Sequence, residues 1–192
     1  MADIGLLYSN NEYDRELYSE LKEISHQLLR EATGLGKEDI KIIFPETKDY
    51  PTVKVDIRGI ALNEEKKILL VRESKDGKWA LPGGWADVGF TPSETVVKEF
   101  KEETGFNAKP TRLLAVFDKR KHHHPPQPFY VYKMVFQCEI ISGAMQKGFD
   151  ILDVQFFSVS ELPELSEDRI LSSQIQLLHK KILSNDSEVY YD

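Results

Sequence analysis

Three glutamates stand close together near the middle of this sequence, at Glu99, Glu102 and Glu103. On a helix, residues at positions i, i+3 and i+4 are neighbours, so three like charges would share one surface and destabilise it. A hard divalent cation such as Mg²⁺ binds carboxylate oxygens, neutralises their charge and keeps sites open for water and phosphate. The alternative is a solvated acidic face whose charge is balanced by Lys98 and Lys101.

A glycine-rich loop leads directly into this acidic segment. Three glycines within residues 83–89 indicate unusual backbone angles or a close backbone approach. Thr91 and Glu94 have the spacing of a capping box, which predicts a helix from about 92 to 104 that ends at Gly105. The loop could place backbone carbonyls beside the same cation, and this favours the metal site over the solvated face.

Hydrophobic periodicity predicts helices in the first part of the chain. Apolar residues recur at helical spacing through 14–33, and a second short helix is predicted over 37–43. Proline and polar residues then indicate a linker over about 44–52.

After the linker the period changes to two, which is typical of strands. Residues 53–58 and 68–71 are predicted to pair as a hairpin, and further strands are predicted over 113–117, 129–141 and 154–157. The helix over 92–104 is expected to pack on the sheet through Val97, Phe100 and Thr104, and Ser166 is expected to cap a last helix.

Composition limits the possible functions. The chain has 192 residues, 41% of them hydrophobic, and a formal net charge of −7. This acidity argues against stable DNA binding, because non-specific affinity comes from cations that displace counterions at phosphates. We expect neither a signal peptide nor a membrane span, and we take the cytoplasm as the default compartment. The single cysteine, Cys138, is expected to be a small buried apolar residue.

Residues 84–106 resemble the signature of the Nudix hydrolases, a 23-residue loop and helix that begins at a glycine. The match consists of Gly84 and the run Lys98-Glu99-Phe100-Lys101-Glu102-Glu103-Thr104-Gly105-Phe106, preceded by Leu81-Pro82-Gly83. The resemblance implies an α/β fold, the Nudix α/β/α sandwich with a mixed sheet, over 53–185. A small helical N-terminal module would occupy 1–48.

The resemblance also implies an activity. A metal-dependent pyrophosphatase would hydrolyse a nucleoside diphosphate linked to another moiety, and would release a nucleoside monophosphate and a phosphorylated product. Glu99, Glu102 and Glu103 would be the catalytic carboxylates and, with the backbone carbonyl of Gly84, the ligands of Mg²⁺ or Mn²⁺. The N-terminal helix, the loop 83–89 and the basic segment 119–126 are similar to a bacterial subgroup described as ADP-ribose or CDP-choline pyrophosphatases.

Candidate substrate contacts come from several segments: Arg72, Trp85, Lys119, His123 and Asp153. Arg72 could meet phosphate or pair with a carboxylate, and Trp85 could stack on a base or fill the core. Asp153, like Asp150, could supply a later catalytic carboxylate or be an ordinary turn residue.

Two positions depart from the signature, since Phe90 replaces a glutamate and Lys98 replaces an arginine. These departures keep open a non-catalytic nucleotide-sensing domain. The basic segment 119–126 keeps open an enzyme that processes RNA ends or oligonucleotides. The narrow apolar stripe of the helix over 14–33 predicts a homodimer.

Overall fold

The computed structural model describes residues 1–45, 49–127 and 129–192. The chain divides into two compact units, Met1–Thr52 and Val53–Asp192, and each is described by itself. Part of the linker predicted over 44–52, and the end of the module predicted over 1–48, lie outside the described residues.

The first unit contains three helices: α1 (Ala2–Tyr8), α2 (Glu12–Thr33) and α3 (Lys37–Ile43). The two helices that the sequence predicted are α2 and α3, whereas α1 was not predicted. The Asn11 side chain caps α2 by accepting a hydrogen bond from the Asp14 N–H at 2.8 Å, and α2 ends at the left-handed Gly34. The apolar stripe of α2 is 43–60% exposed within this chain, at Leu17, Leu21, Ile24 and Leu28.

The second unit contains two sheets and two longer helices. Its elements are β1 (Lys54–Ile60), β2 (Ile68–Glu73), β3 (Trp79–Ala80), β4 (Gly83–Trp85), α4 (Pro92–Thr104), β5 (Phe106–Asp118), β6 (Val131–Gly143), β7 (Ile151–Phe157), α5 (Ser172–Leu183) and β8 (Tyr190–Tyr191). One sheet has the order β4-β1-β6-β5-β8 and the other has the order β3-β2-β7. The first sheet is mixed, because β1 is parallel to β6 and antiparallel to β4.

The predicted hairpin of 53–58 with 68–71 is wrong, because β1 and β2 belong to different sheets. The chain does turn back, and the Leu69 N–H donates to the Ala61 carbonyl at 3.0 Å. Beyond that point β1 already has β4 and β6 on its two edges, so β2 pairs with β3 and β7 instead.

Two apolar cores lie against the two helices, as a sandwich requires. Alternate residues of β2 point into different cores: Ile68 and Leu70 pack with α5, and Leu69 and Val71 pack with α4. This α/β arrangement confirms the predicted fold class.

Helix α4 forms as its caps predicted, and of the three residues expected to face the sheet, Phe100 and Thr104 are buried and Val97 is not. The Thr91–Glu94 capping box is present, and Gly105 ends the helix in a left-handed conformation. Val96 and Phe100 are fully buried, whereas Val97, predicted to face the sheet, is 36% exposed. The sheet therefore takes the side of the helix that also carries Glu103.

The expected Ser166 cap is wrong as well. Helix α5 begins after Leu171, and the Gln174 side chain accepts from the Leu171 N–H at 3.1 Å. Ser166 instead donates its hydroxyl to the Asp76 carboxylate at 2.6 Å, in the loop before the helix.

Within the described ranges, none of the helices combines the length and the apolar character that crossing a membrane demands.

A substitution at Gly59 of β1 tests the close packing of α4 against the sheet. A methyl group added there would come within 2.3 Å of Phe100 and 2.7 Å of Val96, both on the buried face of the helix. We expect Gly59→Ala to lower the free energy of unfolding by about 1–3 kcal/mol, because overpacking must displace the helix. Urea denaturation measures this, with exposed Lys109→Ala as the control. A Gly59→Ala protein as stable as the parent would contradict the packing described.

Candidate active site

Strand β4 places the glycine-rich loop against the carboxylates of α4. The Gly83 N–H donates to Oε2 of Glu103 at 2.8 Å. Gly83 has a φ of 141°, and a Cβ there would meet the Ile57 carbonyl at 2.1 Å, so only glycine fits. A Cβ on Gly84 would lie 2.9 Å from Oε1 of Glu99. The two glycines therefore let the backbone approach both carboxylates.

The three predicted glutamates have different surroundings. Glu103 is 8% exposed, and burial raises its pKa to about 8 even though Arg58 and the Gly83 N–H act in the opposite direction. Burial also raises the pKa of Glu99. Glu102 is exposed and does not line the cleft described next, although its charge acts on Glu99.

Glu99 and Glu103 line a cleft of about 370 Å³ together with Gly83, Gly84 and Trp85. Its walls carry seven acidic residues: Asp56, Glu73, Asp76, Glu99, Glu103, Asp150 and Asp168. They also carry five basic residues: Arg58, Lys75, Lys119, Lys133 and Arg169. Among the described residues, no three carboxylate, imidazole or thiol groups are gathered closely enough to hold a metal ion. The predicted set of three glutamates therefore stays a prediction.

A ladder of buried ion pairs crosses the floor of the cleft. Asp56 accepts hydrogen bonds from Arg58 at 2.9 Å and from Lys133. Arg58 also lies 3.6 Å from Glu73, which is paired with Arg169. Because each charge has an opposite neighbour, the ladder can remain ionised out of water.

The sequence did not predict these ladder residues as part of a site. Asp56 and Arg58 alternate with apolar residues in β1, and Lys133 occupies a polar position in β6. Such alternation is typical of a solvated sheet face, yet all three residues are at most 6% exposed. The one sequence feature that could have indicated a buried site is that the charges on this polar strand face alternate in sign.

The predicted substrate contacts fall into two groups. Trp85 and Lys119 line the cleft, whereas Arg72, His123 and Asp153 do not. Arg72 donates to the Gly77 carbonyl at 2.7 Å, and Asp153 accepts from the Val154 N–H at 2.8 Å. His123 is exposed.

Three further residues of the second unit, Asp150, Trp79 and Cys138, can also be assigned to the cleft or to the core. Asp150, the alternative to Asp153, lines the cleft. Trp79 is 9% exposed and packs edge-on against Phe157, as expected of a core residue. Cys138 is buried, which confirms the expected small buried residue, and burial raises its thiol pKa to about 12.

The two departures from the signature contact each other. The ammonium group of Lys98 lies 2.8 Å from the Asp87 carboxylate and 5.4 Å from the centre of the half-exposed Phe90 ring. Lys98 is therefore engaged with the loop before α4, and its hydrogen bond is to Asp87 rather than to the glutamates.

The three consecutive histidines make different contacts. His122 Nε2 lies 3.0 Å from the Asp192 carboxylate, His123 is exposed, and His124 Nδ1 contacts the Glu167 carbonyl. The three imidazoles therefore have different surroundings, although they are consecutive in the sequence.

His124 makes the stability of the second unit depend on pH. Burial lowers its pKa from 6.5 to about 4, and nearby Lys133, Lys119 and His122 act in the same direction. Between these values this imidazole binds more protons in the unfolded chain than in the folded one, so its contribution to stability falls as pH drops from 6.5 towards 4.

We therefore expect the change in urea midpoint from pH 7 to pH 5 to be less unfavourable in His124→Gln than in the parent. Glu103, whose raised pKa acts in the opposite direction, contributes equally to both proteins. The matched control is the exposed His123→Gln, which should keep the pH dependence of the parent. An equal change of midpoint in parent and His124→Gln would contradict a buried neutral imidazole.

Comparison with known families gives two matches that together span most of the chain. The NUDIX domain matches residues 52–178. A family described as the UDP-X-like, N-terminal oligomerisation domain matches residues 1–44.

Individual relatives agree with the family matches. A Bacillus subtilis (strain 168) protein named "Putative ADP-ribose pyrophosphatase YjhB" is 41% identical over 192 residues, which cover 100% of this chain and 92% of that protein. An ADP-ribose pyrophosphatase of Methanocaldococcus jannaschii is 37% identical over 127 residues, covering 62% of this chain and 69% of that protein.

A solved structure extends the similarity to three dimensions. The crystal structure of a UDP-X diphosphatase has a TM-score of 0.69 and 39% identity, and covers 100% of this chain and 92% of that chain. The family predicted from residues 84–106 is thus confirmed, and the chain belongs to the Nudix hydrolases.

Proposed function

We propose that this chain is a metal-dependent pyrophosphatase that cleaves a nucleoside diphosphate linked to a second moiety, of the ADP-ribose, UDP-X or CDP-choline type. The products would be a nucleoside monophosphate and a phosphorylated second product. The observation that carries this proposal is the cleft in which Glu99, Glu103 and Gly84 face a set of buried cations. The names of the relatives similar along the whole chain support the same class of substrate.

The residues at Gly84 fit a hard divalent ion. The absence of a Cβ there leaves room for the Glu99 carboxylate, and the Glu103 carboxylate reaches the adjacent Gly83 N–H. Glu99, Glu103 and the Gly84 carbonyl would hold Mg²⁺ or Mn²⁺, and Glu102 could join them from the exposed side of α4. The bound ion would neutralise phosphate charge and activate water.

Other residues of the cleft would serve binding and proton transfer. Asp150 is the candidate to accept the proton of the attacking water, because it lines the cleft. Its backbone is held in place by a hydrogen bond from the Ser74 N–H to the Asp150 carbonyl at 2.9 Å. Trp85 is 48% exposed at the cleft and presents an aromatic face for a nucleobase.

A substrate panel tests the proposal. CDP-choline, ADP-ribose, a UDP-linked sugar, NADH, a dinucleoside polyphosphate and short RNA would each be incubated with Mg²⁺ or Mn²⁺, and released phosphates would be measured. We expect turnover of one or more nucleoside diphosphate derivatives and little of RNA. Turnover of RNA alone, or of no compound, would overturn the proposal.

Glu103→Gln tests the assigned carboxylate. The amide keeps the shape but loses the charge that would hold the cation, so we expect kcat/KM to fall by about 100-fold or more. Glu139→Gln, an exposed change on β6, is the matched control and should keep full activity. Full activity of Glu103→Gln would refute the metal assignment.

We also propose that the first unit mediates a homodimer. The match to an oligomerisation domain and the exposed apolar stripe of α2 support this proposal. Two such stripes packed together would remove apolar surface from water.

Ile24→Glu would place a charge in the middle of the stripe, so we expect it to convert a dimer into a monomer in light scattering at micromolar concentration. Glu20→Gln, an exposed polar position on the same helix, should leave the mass unchanged. A parent protein that is already monomeric would contradict the proposal.

A further inference from the structure

We propose that Lys119 and Lys133 form a phosphate-binding wall in the cleft, which receives the phosphoryl group farther from the α4 glutamates. The inference rests on the proposed function for the identity of the anion. Both lysines line the cleft, yet they are only 6% and 2% exposed. Lysine is rarely buried unless it is paired, and within the described residues each of these two is paired with a single carboxylate.

The pairing of these lysines leaves hydrogen-bond donors for a ligand. In the part of the chain that the structure describes, Lys133 donates to Asp56 and Lys119 donates to Asp168 at 3.3 Å. An ammonium group has three donors, and one carboxylate contact uses only part of them. Asp56 is also shared with Arg58, so one carboxylate serves two cations.

The electrostatics of this wall favour an incoming anion. Burial lowers the pKa of Lys133 to about 8, and the charges of Arg58 and Lys119 act in the same direction. Burial also lowers the pKa of Lys119, and the charge of Arg169 adds to that effect. Keeping these buried ammonium groups charged therefore costs free energy. Phosphate oxygens that accept hydrogen bonds from them would reduce that cost.

The order of the strands separates this wall from the metal-binding end. Lys133 lies on β6, in register with Asp56 of β1, which is itself in register with Trp85 of β4. Two strand spacings amount to about 10 Å, so Lys133 and the glycine loop face different parts of one ligand. A substrate with two linked phosphoryl groups would place one at each end, with Arg58 between them.

A metal-free binding experiment tests the wall without turnover. Inorganic pyrophosphate is titrated calorimetrically into the full-length protein in EDTA. We expect the parent to bind it, and Lys133→Met and Lys119→Met each to weaken binding on the order of tenfold, the loss of one charged hydrogen bond. Lys109→Met, an exposed change on β5, should bind as the parent does.

Lys119→Met is the variant that is expected to fold normally, so the test does not depend on Lys133→Met alone. Its partner Asp168 has a half-exposed side chain, so removing Lys119 leaves no buried lone charge, and thermal unfolding would verify that the variant is folded. A parent that does not bind pyrophosphate in EDTA would overturn the inference. Two folded variants that bind like the parent would overturn it as well.

Kinetics with Mg²⁺ and the best panel substrate separate binding from a structural role. We expect Lys119→Met to raise KM while kcat stays within about threefold of the parent, and Lys119→Arg to restore KM in part. A fall in kcat with unchanged KM would contradict a ground-state phosphate contact. If the parent cleaved no substrate, the proposed function would fail, whereas the calorimetric result would still decide the anion site.

Discussion

The cleft depends on the sharing of Asp56 between Arg58 and Lys133. Buried in strand β1, this carboxylate holds two cations that would each be costly to keep out of water alone. Removing one partner of a buried pair typically costs about 3–5 kcal/mol, because it leaves an uncompensated charge. Through Glu73 the same ladder reaches Arg169, so it ties β1, β6 and β2 to the loop before α5. The floor of the cleft is therefore fixed by charge as much as by apolar packing.

Local signals predicted the elements that local contacts build. Helix α4 begins and ends where its capping box and Gly105 placed it, since caps satisfy backbone groups within a few residues. The predicted β1–β2 hairpin is wrong because the pairing of strands depends on residues that are distant in the sequence. Whether β1 pairs with β2 or with β6 depends on residues 131–137, more than seventy positions away, and the alternation within β1 is the same in both cases.

The residues of the candidate site also fall into two groups, those that a local motif predicted and those that depend on contacts distant in the sequence. Glu99, Glu103 and Gly84 lie in one continuous motif and line the same cleft, as helical spacing and the resemblance of the motif together predicted, whereas Glu102 does not line it. Asp56, Arg58 and Lys133 were missed because a strand with alternating charges is typical of a solvated face. Their burial also depends on distant residues, because Glu73 of β2 pairs with Arg58. Glu73 is in turn paired with Arg169 of the loop before α5. Arg72 and Asp153 sit opposite each other on β2 and β7, away from the cleft lining.

The charge of the cleft explains why acidity and phosphate binding are compatible in this chain. Seven acidic residues line the cleft against five basic ones. Most of these acids are engaged by cations of the ladder or of the lysine wall, whereas Glu99 and Glu103 on α4 form no ion pair within the described residues. A divalent ion bound at these two glutamates would cancel the excess of two negative charges. Apart from Asp150, the cleft would then offer a phosphate group compensated carboxylates and partly satisfied cations, although the whole chain carries a net charge of −7.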